Sequence, residues 1–331
     1  MIVRGETNFM LENESTTGSS LLAGTHTAVT VGTFDGVHRG HLSILEKLLD
    51  VARQLNLKSV VVTFDPHPRQ FLQPESGMKL LSSLEAKLRL MTELGINHVV
   101  VLKFDRALSQ ISPVRFVEDY LISRYGMHAL VIGYDHAFGK DRIGGEKVLR
   151  ELSSVFNYSL IQVPPVVLDG KPVSSSWVRS VIEQGDMGQA AKLLGRYYSF
   201  TGRVVPGAGR GKRLGHPTAN LEPVFEDKQL FPEGVYAATV DLHGKLMPGA
   251  LHHGPRPTFD ELASTLELNL FDFSGDLYDR TLEVSIIERI RPIMRFKNAG
   301  ELVKQMDGDD REVRKLFERI KMPAFPLSRA V

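Results

Sequence analysis

The sequence predicts an α/β domain followed by a small antiparallel β domain with a terminal helix. Three observations carry that prediction. Short apolar runs recur every thirty to forty residues through the first half, at 28–32, 59–64, 98–104, 128–134 and 158–163, which is the spacing of a strand plus a crossover helix. From about Tyr197 the pattern changes to strands broken by Gly, Pro and Asp clusters, at 197–205, 234–242, 247–252, 265–273 and 280–288. The 331 residues give room for two domains, at about 150 residues each.

Taken in order, residues 1–25 read as a polar leader rich in Ser, Thr, Gly and Glu. The segment after the first apolar run has helical periodicity, with Leu42, Leu45, Leu48, Leu49, Ala52 and Leu55 on one face. Repeated βαβ units make a mostly parallel sheet that holds ligands at the carboxyl ends of its strands. Two short helices at 176–184 and 187–194 follow, and the first domain is placed at 26–190. The strand-and-turn half suits a small antiparallel barrel or sandwich, closed by a helix near 298–320, in a second domain at 197–325.

Composition narrows the function classes. With no cysteine, a disulfide scaffold, a thiol nucleophile, an iron–sulfur cluster and a thiolate zinc site are excluded, and a cytoplasmic enzyme is expected. Forty basic against thirty-nine acidic residues leave a net charge of +1, so nothing global draws the chain to nucleic acid or to an anionic membrane. Anion binding is expected to be local. The apolar runs are too short to span a bilayer, and residues 1–27 lack the apolar core of an export signal. No oligomeric state is implied.

The densest motif is Gly32-Thr33-Phe34-Asp35-Gly36-Val37-His38-Arg39-Gly40-His41, placed after a strand and opening a helix. Small residues admit a phosphate to the backbone, and the helix N-terminus supplies N–H donors and a positive dipole end. His38 and His41 stand three residues apart on the first turn, so both imidazoles can reach one phosphate. As a metal site the pair is incomplete without a third ligand. Thr63-Phe64-Asp65-Pro66-His67-Pro68-Arg69 reads alone as a rigid turn, and Ser174-Ser175-Ser176-Trp177-Val178-Arg179 alone as a helix N-cap.

In the second half, the stretch from Gly202 to Asn220 carries Gly207, Gly209, Gly211 and Gly215 among Arg203, Arg210, Lys212 and Arg213, with no acidic residue. Such a loop suits a polyphosphate, although it does not match the G-x-x-x-x-G-K-[ST] pattern. The Thr218 hydroxyl and the Asn220 carbonyl that end it are hard oxygen ligands suited to Mg²⁺ beside phosphate oxygens. Glu267 alternates with Leu266, Leu268 and Leu270, which puts it on the face opposite the leucines.

An HxGH signature after a strand resembles the Rossmann-like nucleotidyltransferase superfamily. The ordered set of segments at 32–41, 63–69, 133–139 and 174–179, then 211–221, 232–236, 254–259, 266–268 and 276–278, resembles the bacterial bifunctional riboflavin kinase/FMN adenylyltransferase (FAD synthetase) family. The resemblance implies a nucleotidyltransferase domain joined to a riboflavin kinase-like barrel. It implies that ATP and riboflavin give FMN and ADP in the second half, that ATP and FMN give FAD and pyrophosphate in the first, and that both steps use Mg²⁺. By the same resemblance His38, His41, Ser175, Ser176 and Arg179 contact ATP phosphates, with Gly32, Thr33, Phe34, Asp35 and Gly36 around them. Thr63, Phe64, Pro66, Asp135 and Phe138 shape the flavin side, joined in the second half by Arg291. Gly211, Gly215 and Thr218 take ATP, Thr218 and Asn220 hold Mg²⁺, and Glu267 activates the ribityl hydroxyl. The chemistry is consistent: a phosphate monoester, with a second pKa of about 6, is already an anionic nucleophile near neutrality, whereas the riboflavin 5′-OH keeps its proton and benefits from a base.

The chain departs from the family pattern at several positions. Thr33 stands where Asn is common, His136-Ala137 where Phe-Arg is usual, and Trp177 where Arg is frequent. His216 replaces Phe, His252-His253 replace Asn-Ile, and Asp279 replaces Gly. Two other readings therefore stay open at this point. One is a monofunctional riboflavin kinase with an impaired first half, motivated by the loop at 135–138. The other is a non-catalytic flavin-binding module.

Overall fold

In the computed structural model, which describes residues 8–12, 22, 24–136, 139, 143–207, 211, 215–242, 244–256 and 261–320, all six strands of the first half's main sheet pair in parallel. The chain divides into two compact units, Met1–Ser175 and Ser176–Val331.

The first unit carries β1 (Asn8–Glu12), β2 (Thr27–Val31), β3 (Lys58–Asp65), β4 (His98–Lys103), β5 (Met127–Gly133) and β6 (Ser159–Val163) in the order β1-β4-β3-β2-β5-β6, followed by a short antiparallel pair, β7 (Val167–Leu168) and β8 (Lys171–Pro172). Strands covered on both faces need apolar residues at every position, and Val60, Val61 and Val62 are accordingly all buried. The crossovers are α1 (Arg39–Gln54), α2 (Pro68–Leu72), α3 (Leu84–Glu93), α4 (Arg106–Ser109), α5 (Pro113–Arg115), which runs on as a π-helical stretch over Phe116–Ile122, and α6 (Glu146–Phe156). The strand order turns back on itself between β2 and β5, and at such a switch point the loops diverge to leave a crevice above the strand ends. The motif at 32–41 is the loop that leaves β2 at that point.

The polar leader does more than its composition announces. Residues Asn8–Glu12 pair in parallel with β4, Asn8 opposite His98 through Glu12 opposite Leu102, and Met10 and Leu22 pack on the sheet core. A five-residue edge strand inside a mostly polar leader is too short to show a period, yet it covers the hydrogen-bonding edge of β4.

The second unit holds α7 (Ser175–Glu183, from its second residue on), α8 (Met187–Leu194), and β9 (Tyr198–Val205), β10 (Ala219–Pro223), β11 (Gly234–Leu242), β12 (Lys245–Arg256), β13 (Glu261–Leu270) and β14 (Thr281–Arg291). The six strands form a closed antiparallel barrel in the order β10-β13-β12-β11-β14-β9, which settles barrel over sandwich. The terminal helix α9 (Ala299–Ile320) lays Val313, Leu316 and Phe317 against Ala237, Phe271 and Ile287. The helices α7 and α8 cluster with the second unit, where α8 packs on β9 and β14. The strand β10 was not expected, because Pro217 stands two residues before it and Pro223 is its last residue.

Deleting residues 1–12 removes β1 and the Met10 contact. The loss is expected to cost about 2 kcal/mol, and thermal unfolding of the deletion variant should begin roughly 4–8 °C lower. An unchanged melting curve would show that the edge strand contributes nothing.

Candidate functional site

In the first unit the loop from Gly32 to His38 bends through two left-handed residues that are not glycine, Phe34 (φ 49) and Val37 (φ 38). Each costs about 1–3 kcal/mol, and a β-branched residue at positive φ is rare. The surroundings hold them there. Both side chains are buried, and between them the Asp35 carboxylate, 2% exposed, accepts from the Leu81 N–H at 3.0 and 3.2 Å and the Ser82 N–H at 3.2 Å. The Gly36 N–H donates to Ser82 Oγ at 3.0 Å, and Ser175 Oγ donates to the Asp35 carbonyl at 3.0 Å. Gly36 has φ 79, and a Cβ there would stand 2.7 Å from Leu81, so no other residue fits.

This turn delivers His38 to the N-cap of α1. Its Nδ1 accepts from the His41 N–H at 3.4 Å, so the neutral ring carries its proton on Nε2 as a donor. The rings of His38 and His41 stack with centroids 3.7 Å apart and planes inclined by 17°. A Cβ at Gly40 would lie 3.2 Å from the His38 ring and 3.3 Å from the Val173 carbonyl; the glycine in HxGH is what lets the first imidazole fold against the helix start. Two imidazoles, a helix N-terminus and the Ser175 hydroxyl thus meet above β2. Arg179 is half-buried one turn into α7, whose exposed second residue is Ser176.

One group here escaped sequence reading. Lys87, 5% exposed, donates from Nζ to the Thr33 carbonyl at 3.2 Å, where Thr63 Oγ1 also donates at 3.3 Å. Burial pulls its ammonium below the ordinary lysine range, while Asp35, Asp65 and Glu85 oppose the shift. Its signal was its register: Lys87, Leu90 and Met91 form the buried face of α3. On the expected flavin side, Phe64 meets Phe104 edge-on at 5.7 Å, Pro66 and Asp135 are exposed, and Phe138 lies outside the described residues, as does Ala137.

In the second unit the barrel register assembles the site. Asn220 on β10 pairs with Glu267 on β13, and Glu267 pairs in turn with His252 on β12. Directly paired residues share a face, so the three form one row, while His253 turns the other way and is buried against Phe231. Thr218 Oγ1 donates to Glu267 Oε2 at 3.2 Å, and Thr265 Oγ1 lies 3.3 Å from Oε1. Thr218, Asn220 and Glu267 line a cleft of about 520 Å³ with Gly207, Gly211, Phe273 and Tyr278. Gly215 (φ 84) is exposed at the loop's end, and the intervening residues 208–210 and 212–214 lie outside the described ones. Asp279, standing where the family commonly has Gly, does adopt a left-handed φ of 59, which Asp tolerates.

The glycine loop lies close over the two oxygen donors. A Cβ at Gly211 would come within 2.9 Å of Thr218 Oγ1, and one at Gly207 within 1.9 Å of Asn220 Nδ2. Among the described residues no group of three or more His, Asp or Glu side chains is placed to hold a metal. A hydroxyl and an amide carbonyl beneath a phosphate loop fit an ion such as Mg²⁺, which takes few protein ligands and completes its shell with phosphate oxygens and water. Arg291, expected on the flavin side, also has a structural partner. Its guanidinium grips Asp309 of α9, Nε to Oδ1 at 2.8 Å and Nη2 to Oδ2 at 2.7 Å, and Nη1 donates to the Pro292 carbonyl at 3.0 Å.

No helix among the described residues is long and apolar enough to cross a membrane. Residues 23–177 match the FAD synthetase family and residues 194–317 the riboflavin kinase family. The bifunctional riboflavin kinase/FMN adenylyltransferase of Pseudomonas fluorescens is 36% identical over 281 residues, covering 85% of this chain and 89% of that protein. The enzyme of the same name from Escherichia coli K12 is 33% identical over 291 residues, covering 87% and 92%. A crystal structure described as a macrolide-efflux protein from Streptococcus pneumoniae superposes with a TM-score of 0.82 at 28% identity, covering 95% of this chain and 99% of that one. Two sites of different construction, each inside the segment matched by its own family and in the order of these full-length relatives, place the chain in the bifunctional riboflavin kinase/FMN adenylyltransferase family.

Proposed function

We propose that the chain makes FAD from riboflavin in two steps, each in its own unit. It is a cytoplasmic transferase acting on riboflavin, FMN and ATP. The observation that carries this reading is the contrast between the sites: the second unit offers a carboxylate among oxygen donors, and the first offers two imidazoles at a helix start with no carboxylate aimed outward from the turn. That is the difference the two nucleophiles demand.

In the kinase step, Glu267 takes the proton of the ribityl 5′-OH as that oxygen attacks the γ-phosphorus of ATP, and ADP leaves. Hydroxyls of Thr218 and Thr265 on either carboxylate oxygen fix the base in orientation, and the glycine loop brings backbone N–H groups to the phosphates. Mg²⁺, held by Thr218 and Asn220 together with phosphate oxygens, would neutralise charge on the transferring group. In the adenylyl step an FMN phosphate oxygen, already anionic, attacks the α-phosphorus of ATP and pyrophosphate leaves. Here His38, His41 and the N-terminus of α1 stabilise the charge that gathers on the phosphates. Asp35 acts only on the turn, because its oxygens are engaged by backbone N–H groups.

Glu267→Gln keeps the shape but not the base. FMN formation is expected to fall about 10²–10⁴-fold, with adenylylation of supplied FMN unchanged; equal loss of both activities in a folded variant would contradict separate sites. His41→Ala should do the reverse, lowering FAD formation from FMN by roughly 10²–10³-fold while FMN formation continues. Both are read by chromatographic separation of the flavins.

A further inference from the structure

The residue that ends the glycine loop is tied to an element far away in the sequence. His216, 8% exposed, presents Nε2 to Asp307 Oδ1 at 3.1 Å and Nδ1 to Asp310 Oδ2 at 3.2 Å. Both carboxylates stand on α9, three residues apart and so on one face. Asn269 of β13 adds a third contact, donating from Nδ2 to Asp310 Oδ2 at 3.4 Å. Contact at both ring nitrogens fixes the orientation of the imidazole as well as its position.

From His216 the contacts continue into the site. Its backbone N–H donates to the Gly211 carbonyl at 2.9 Å, closing the loop. Gly211 in turn lies so close that a Cβ there would stand 2.3 Å from the His216 carbonyl and 2.9 Å from Thr218 Oγ1. Thr218 holds Glu267. Meanwhile α9 has its own attachment to the barrel, through Val313, Leu316 and Phe317 and through the Arg291–Asp309 pair. Breaking the imidazole contact therefore leaves the helix docked and frees only the loop.

We propose that His216 is a positioning residue of the kinase site: anchored on Asp307 and Asp310, it holds Gly211 against Thr218, and so ties the terminal helix to the ATP site. The inference rests on the kinase reading, and wild-type FMN formation, measured in parallel, tests that reading separately.

The test compares full-length His216→Ala and the double variant Asp307→Ala/Asp310→Ala with wild type, following FMN formation against ATP concentration. A loosened loop should raise KM for ATP about tenfold in both variants, with kcat changed less than KM and with adenylylation of supplied FMN untouched. His216→Gln, which keeps one donor and one acceptor, should recover part of the loss. Wild-type KM for ATP in both variants would overturn the proposal. So would a fall in both activities together with a collapsed melting temperature, which would make His216 a packing residue only. Wild type that forms no FMN would instead sink the kinase reading.

Discussion

The first site depends on one buried carboxylate. Asp35, spanning the Leu81 and Ser82 N–H groups from the middle of the turn, is the polar anchor that holds Phe34 and Val37 in their left-handed conformation, with the burial of both side chains beside it. The turn aims His38 at the start of α1, and the missing Cβ of Gly40 lets the ring settle there. A surface turn of the same sequence, lacking the 81–82 segment to receive the aspartate, would relax and lose the histidine geometry.

The second unit reaches phosphate chemistry by another route. The row at the proposed kinase site is a product of antiparallel register, with Asn220, Glu267 and His252 brought side by side from positions spread over nearly fifty residues. A closed barrel suits this, because each strand is fixed on both edges and a one-residue slip would turn the whole row inward. Rigid strands hold the base and the oxygen donors; only the glycine loop above them needs to admit a nucleotide. The two units thus divide the demands of the pathway, one activating a neutral hydroxyl, the other accommodating charge on phosphates that need no base.

Much of this was legible in the sequence where a residue type has one physical use. Parallel strands announce themselves as unbroken apolar runs, and His38, His41, Thr218 and Glu267 stand in motifs whose chemistry their types already state. What stayed hidden depended on tertiary partners. The leader strand is too short to show a period, and β10 is masked by Pro217 just before it and Pro223 at its end. Phe34 and Val37 give no hint of positive φ, because only the packing around them imposes it. Lys87 reads as a surface lysine until its place on the apolar face of α3 is noticed, and Arg291 looked available for ligand because Asp309 is eighteen residues away in the chain. His216 looked like a simple replacement of an aromatic, and only the docked helix supplies its two acidic partners.

The most direct test of the account is a time course with the purified full-length chain, riboflavin, ATP and Mg²⁺, the flavins being separated as they form. Two independent sites working in sequence predict that FMN rises first and FAD follows, and that FMN supplied in place of riboflavin gives FAD without a lag. FMN that accumulates with no FAD, even when FMN is added directly, would contradict the account, showing that the imidazole pair above β2 binds nucleotide without transferring adenylate.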